Sequence, residues 1–305
     1  MARVPRKLLL GDEGSTALHY LDLDSPSKSW TFRGPGRDLQ LIGGGRLLRS
    51  SPQGYVELGL AGGELLREVA LPGLPGGVES ARRLPNGNTL VLGNVGGAIF
   101  VWEIGVDGKP LPGRELLFQG IEKGRLLRLT QEETFLFCSE TAGKRQVHEA
   151  DWKTGVRTLS QIPAEVPADS LVKAVREASN VITVSTGYAA SLLRIDTQRN
   201  TVLQTIGGKD QPEPAGLRRS LSPNFFSGFQ MFANGDYLVA NWQGHGPEHG
   251  NQGYQVLLYD RDGKLVWWFD QAEYPMVSSV NNVIALDELD IAMLHDERDG
   301  VLLPV

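Results

Sequence analysis

The stretch Asn241-Trp242-Gln243-Gly244-His245-Gly246-Pro247-Glu248-His249-Gly250-Asn251-Gln252-Gly253 carries the densest chemistry in this chain. It holds two of the five histidines, flanked by residues that let a backbone turn sharply and approach a ligand closely. Imidazole is the side chain best suited to exchange a proton near neutral pH, and it is also a common metal ligand. His245 and His249 are therefore candidate catalytic groups, and with Gln243 a candidate ligand set for a divalent metal. Asn241, Trp242 and Gln243 are candidate ligand contacts. The alternative is a solvated loop whose polar residues satisfy its own backbone. Tyr188, in Thr186-Gly187-Tyr188, is a third candidate catalytic group, able to donate a proton, stack on a ring or pack under the loop.

A second group of candidates is cationic. Arg37, Arg82, Arg83, Arg125, Arg128, Lys173 and Arg176 cluster near the starts of apolar runs in a chain whose formal net charge is −6. Their charges can pair with Asp38, Glu79 or Glu177, or they can line a positive funnel for an anionic ligand. Arg37, Asp38, Glu79, Arg82, Arg128, Lys173 and Gln230 are accordingly expected at a ligand site. His19 and His148 read as satisfied structural residues. His295, in Leu294-His295-Asp296-Glu297, would sit in a salt-bridged turn, or join a metal site if the C-terminal tail crosses the molecule.

What must position these residues is a repeat. Arg83-Leu84-Pro85-Asn86-Gly87-Asn88-Thr89-Leu90-Val91 recurs loosely as Met231-Phe232-Ala233-Asn234-Gly235-Asp236-Tyr237-Leu238-Val239. Asn-Gly between apolar runs predicts a tight two-residue hairpin. Alternating runs that end in acidic turns recur six times, near Asp22, Gly59, Asp107, Asp151, Asp196 and Asp260. Units of this length with four strands each predict an all-β fold, a six-bladed β-propeller forming a single domain over residues 1–305. Inner strands are expected near 37–42, 78–84, 124–130, 170–176, 226–233 and 277–285. Residues 6–11, 17–23 and 28–33 supply three strands lacking an inner one, and 277–285 an inner strand lacking partners. Joining them closes the ring and removes an exposed edge. Residues 286–305 are left as a tail packed on one face.

Composition narrows the function classes. An acidic chain without Lys/Arg runs points away from nucleic acid, and no apolar segment approaches the ~20 residues of a membrane span, so the expected partner is a small molecule. The N-terminal apolar run is too short for a signal peptide, which predicts a cytoplasmic protein, or an exported one if a leader was trimmed. Cys138 stands alone, and no histidine neighbours it to activate the thiol.

The unit Leu84–Val91, followed by Val101-Trp102-Glu103 and Asp107-Gly108-Lys109, resembles the repeats of PQQ-like and arylsulfotransferase-like bacterial propellers. The whole chain looks like an uncharacterised bacterial group within that class, marked by Phe225-Phe226-Ser227-Gly228-Phe229-Gln230, Asn241–Gly246 and Leu294–Glu297. Quinoprotein dehydrogenases have larger eight-bladed rings and a vicinal cysteine pair; a single cysteine departs from that pattern, and PQQ is not expected. A looser similarity is to oligogalacturonate lyases and streptogramin lyases, whose axial His, Gln and metal find counterparts only in Gln243 and His245. Together these readings predict an enzyme acting on a carbohydrate-like or carboxylated molecule at the channel mouth, a lyase or hydrolase using metal-assisted elimination or hydrolysis. The competing class is a noncatalytic propeller that binds a ligand or docks a protein.

Overall fold

The computed structural model describes residues 4–130 and 134–305. Six sheets of four strands, each strand antiparallel to its neighbours, surround a central axis. From the axis outward, blade one is Leu39–Gly43, Arg46–Ser51, Gly54–Gly59 and Leu65–Ala70, and blade two is Gly77–Arg83, Thr89–Val95, Ala98–Ile104 and Pro110–Gln119. Blade three is Arg128–Leu129, Phe135–Thr141, Lys144–Asp151 and Gly155–Gln161. Blade four is Ala174–Ala178, Val181–Ser185, Ser191–Asp196 and Thr201–Gly207, and blade five is Phe225–Met231, Tyr237–Trp242, Val256–Tyr259 and Leu265–Phe269. The closing blade takes its inner strand, Val280–Ala285, from late in the chain and its outer three, Lys7–Asp12, Ala17–Asp22 and Trp30–Arg33, from the N-terminal region. The split unit expected from the sequence is thus present.

Period-two alternation explains how one short run serves two neighbours. Leu8 and Leu10 pack with Leu238, Val256 and Leu258 of blade five, while Leu9 packs with Leu39, Leu41 and Leu47 of blade one. The Asn-Gly turns differ from the two-residue hairpins expected. Gly87 and Gly235 alone take positive φ, at +89° and +88°, and Leu84 N–H donates to Asn88 O at 2.8 Å across a longer loop. Each is a turn with a left-handed glycine, the arrangement of a glycine bulge, with Pro85 at the second position of the first copy and Ala233 in the second.

Ring closure is fixed by one carboxylate. Asp12 ends its strand with no solvent exposure and accepts from the backbone N–H groups of Ser278 (2.6 Å), Ser279 (3.0 Å) and Ser15 (3.0 Å) and from Ser15 Oγ (2.7 Å), with His19 Nε2 at 3.1 Å. His19 Nδ1 meets Thr31 Oγ1 at 2.9 Å, so this histidine is structural, as expected. Burial alone would raise the Asp12 carboxyl, but these partners outweigh it and hold it below the ordinary value. His148 is structural too, bonded to Ser139 Oγ at 2.7 Å and stacked on Phe137 at 5.1 Å.

The tail is more than a cover. Residues His295–Arg298 and Val301–Pro304 form a hairpin whose Val301 pairs in parallel with Met231, adding two strands to blade five. Leu294 bridges to Ile42, so the hairpin crosses the ring at the face opposite the long loops. No helix among the described residues is long and apolar enough to cross a membrane.

Two outcomes are expected. Asp12→Ala leaves buried N–H donors without an acceptor and should cost about 3 kcal/mol in urea unfolding at pH 7. Because the folded carboxyl is held low, the wild-type advantage is complete above the unfolded value and should shrink as pH falls through the folded one. His148 shifts stability in the same direction, through burial rather than through partners. Burial pushes it down to about 4, so between there and 6.5 the unfolded chain binds the extra proton and stability rises with pH. That slope, on the order of 3 kcal/mol across the window, should vanish in His148→Gln, measured by denaturant titration at several pH values.

Candidate functional site

The loops that lead into the inner strands, and those joining second to third strands, emerge on one face around a cavity of about 360 Å³. Every blade contributes: Asn281 and Glu13 from the closing blade, then Arg37, Glu79, Arg125, Tyr188 and, from blade five, Trp242 and His245.

One wall is aromatic. Gly187 and Phe226 exchange backbone hydrogen bonds between blades four and five, which holds Tyr188 edge-on to Phe225 at 4.7 Å. Phe225 meets Trp242 at 5.4 Å, and Trp242 meets the His245 imidazole at 4.8 Å. The other wall is charged. Arg37 bridges Glu79 (3.0 Å) and Glu13 (3.4 Å), and the same Glu13 Oε1 lies 3.5 Å from His245 Nδ1. Glu13 itself is placed by the closure turn, where its N–H donates to Ser279 O at 3.0 Å. Gly14 permits that turn, since a Cβ there would lie 2.4 Å from Ser278 Oγ. The carboxylate that locks the ring therefore also aims the neighbour of His245.

Two further signals mark the cavity. Trp242 Nε1 and Asn281 Oδ1 are buried without a hydrogen-bond partner, a free donor and a free acceptor in side chains that line it. Arg125 lines it with no carboxylate within ion-pair distance among the described residues, whereas Lys123 holds Glu140 at 2.9 Å. Sequence reasoning missed Glu13 and Asn281 as site residues, which become visible only once the two chain ends meet, and named Arg125 only among the inner-strand cations.

Other expected site residues fall elsewhere. His249 sits on the short helical turn Pro247–Asn251, with Gln252 Nε2 at 2.9 Å and Glu248 at 3.5 Å. Gln243 and Asn241 are buried loop staples: Gln243 Nε2 donates to Ser222 O (3.0 Å), and Asn241 Nδ2 to Tyr254 O (2.8 Å). Gln230 is likewise a staple, accepting from Ala285 N–H at 2.7 Å. His245, His249 and Gln243 thus have separate partners, and among the described residues no three His, Cys, Asp or Glu side chains converge as metal ligands. Burial pushes the Cys138 thiol up, consistent with an inert core group.

The funnel of free cations is replaced by a buried ion cluster. Arg82 pairs with Glu297 at 2.9 Å and with Asp296; Arg128 pairs with Asp38 at 3.0 Å and Glu297 at 3.2 Å; Lys173 pairs with Glu297 and donates to Phe229 O at 2.6 Å. All six side chains are at least nine-tenths buried. Burial alone would raise Glu297, but Arg128, Lys173 and Arg82 hold it well below the usual carboxylate range. Burial lowers Lys173 to about 8 against the pull of Glu297, and it raises Asp296 despite Arg82. Arg82, Arg128, Lys173 and Asp38 are therefore engaged by the chain itself and do not line the mouth cavity. The tail carboxylates pair with these cations, and His295 Nδ1 meets Met293 O at 3.0 Å.

No protein-family model and no curated protein matches the chain. Solved structures do. A Bacteroides caccae protein of unknown function is 20% identical over 92% of this chain and 98% of its own, with a TM-score of 0.68. A streptogramin B lyase is 14% identical over 87% and 80%, with a TM-score of 0.55. Regucalcin from Agrobacterium tumefaciens, described as a calcium-binding protein, is 17% identical over 78% and 83%, with a TM-score of 0.52. At these identities the likeness is one of fold. The resemblance to PQQ-like and arylsulfotransferase-like repeats is matched only at the level of the propeller.

Proposed function

We propose that the channel mouth binds a small polar, carbohydrate-like molecule and performs proton-transfer chemistry on it, an elimination or a hydrolysis, with His245 as the base. The observation that carries this reading is Glu13 beside His245 Nδ1 at the edge of a cavity built by all six blades. A carboxylate 3.5 Å from Nδ1 is within reach to accept from Nδ1–H on a small ring rotation, which would set the tautomer, leave Nε2 able to take a proton, and stabilise the imidazolium that results. The rest of the cavity suits a hydroxylated ligand. Tyr188 and Trp242 offer apolar surface to C–H faces, while Glu13, Glu79 and Asn281 accept from hydroxyls.

Charge modifies the sequence-based expectation of an anionic ligand. The mouth carries Glu13, Glu79, Glu140 and Asp169 against Arg37, Lys123 and Arg125. That balance favours a neutral polyol, or one bearing a single carboxylate opposite Arg125. Since His245, His249 and Gln243 do not converge, no step is routed through a metal on them.

A second reading, ligand binding without turnover, draws on the 78% exposure of the His245 side chain, which leaves the base open to water. The two separate in one experiment. A panel of neutral and carboxylated sugars is screened by thermal shift, and hits are tested for turnover. His245→Ala should lower kcat at least ~100-fold with little change in Tm, and Glu13→Gln should lower it about tenfold. Turnover undiminished in His245→Ala would overturn the catalytic reading; binding at the mouth without turnover in wild type would establish the second.

A further inference from the structure

On the face opposite the mouth, between blades two and three, lies a cleft of about 710 Å³. Its lining joins the turn after the inner strand of blade two, the turn Asp151–Thr154 of blade three, and the tail hairpin. Alternation along His295–Arg298 sends Asp296 and Arg298 toward this cleft, while Glu297 reaches the axis.

The groups that line it are unequally satisfied. Glu103 accepts from Asn88 Nδ2 at 2.7 Å and has Arg114 at 3.6 Å. Asp151 is consumed by its own turn, accepting from the N–H groups of Lys153 and Thr154 at 2.6 Å each. The cations Arg298 and Lys153 have no carboxylate within ion-pair distance among the described residues. Asp296 is 3% exposed, and its Oδ1 serves Arg82 and Glu297 N–H while its Oδ2 has no hydrogen-bond partner among the described residues. A buried, orphaned oxygen costs free energy unless something supplies its bond. Beside these groups the cleft offers Leu84, Leu90, Phe135 and the Trp152 ring, which already carries the Arg114 guanidinium at 5.3 Å.

We infer that this cleft is a second binding site, separate from the mouth, for a small organic anion with an aromatic body. The ring would lie against Phe135 and Trp152, the anionic group between Arg298 and Lys153, and a polar substituent at Asp296 Oδ2. Cations without a carboxylate partner among the described residues, beside apolar and aromatic surface, select for that combination, since neither a neutral ring nor an inorganic anion satisfies both halves.

Phenyl phosphate is the probe, with benzyl alcohol and inorganic phosphate as controls lacking one half each. Titrations are followed by NMR of the six tryptophan indole N–H groups, with the Trp152 signal assigned from Trp152→Phe. Saturable binding should shift Trp152 and leave Trp242 still. Arg298→Gln should weaken it about tenfold, the value of one charge-assisted bond, and Lys153→Gln, on an exposed turn, about threefold. His245→Ala should bind as wild type does. No saturation into the millimolar range, shifts at Trp242 in place of Trp152, equal affinity for either control, or equal affinity in both cation variants would each overturn the assignment.

Discussion

A sheet that buries both faces needs a neighbour on each side, and here the last neighbour exists only because the two ends of the chain share one blade. Lys7–Asp12 pairs with Val280–Ala285, Leu8 and Leu10 reach one adjoining blade and Leu9 the other, and the Asp12 carboxylate gathers the turn that follows. Without that junction two apolar faces and a sheet edge would meet water. The junction also sets Glu13 and Asn281 at the mouth, so closure and site geometry are one problem solved by the same few residues.

The axis shows a second constraint, that buried charge must be matched. Arg82, Arg128 and Lys173 face Asp38, Asp296 and Glu297, and none of the six is open to solvent. Taking such groups from water is expensive, and pairing recovers that cost only if the full set is present. The axis below the mouth is consequently occupied by these paired side chains.

The repeat, the six blades and the divided closing blade were legible in the sequence because alternation and acidic turns are local signals. The placement of His245 at the mouth was legible for a similar reason, because glycines and a neighbouring tryptophan mark an irregular loop joining two strands of one blade. Its partner was not, since Glu13 lies 232 positions away, and pairing across that span depends on register. The inner-strand cations were recognised as unusual, but their fate was set by Asp296 and Glu297, in a tail whose pattern resembles no blade strand. The same loop composition that drew attention to Gln243 and Asn241 turned out to serve the loop itself, because buried amides are well suited to satisfying irregular backbone.

The late position of the hairpin has a consequence for biosynthesis. Chains emerge from the ribosome beginning with their N-terminal residues, and domains tend to fold as units. In this one the strand that completes the closing sheet and the carboxylates that neutralise the axis both arrive with residues 280–304. Until then Arg82, Arg128 and Lys173 lack most of their counter-charge and the outer three strands of the closing blade lack their inner edge. Closing the ring and neutralising the axial cations therefore both depend on residues near one another in the sequence, 280–304.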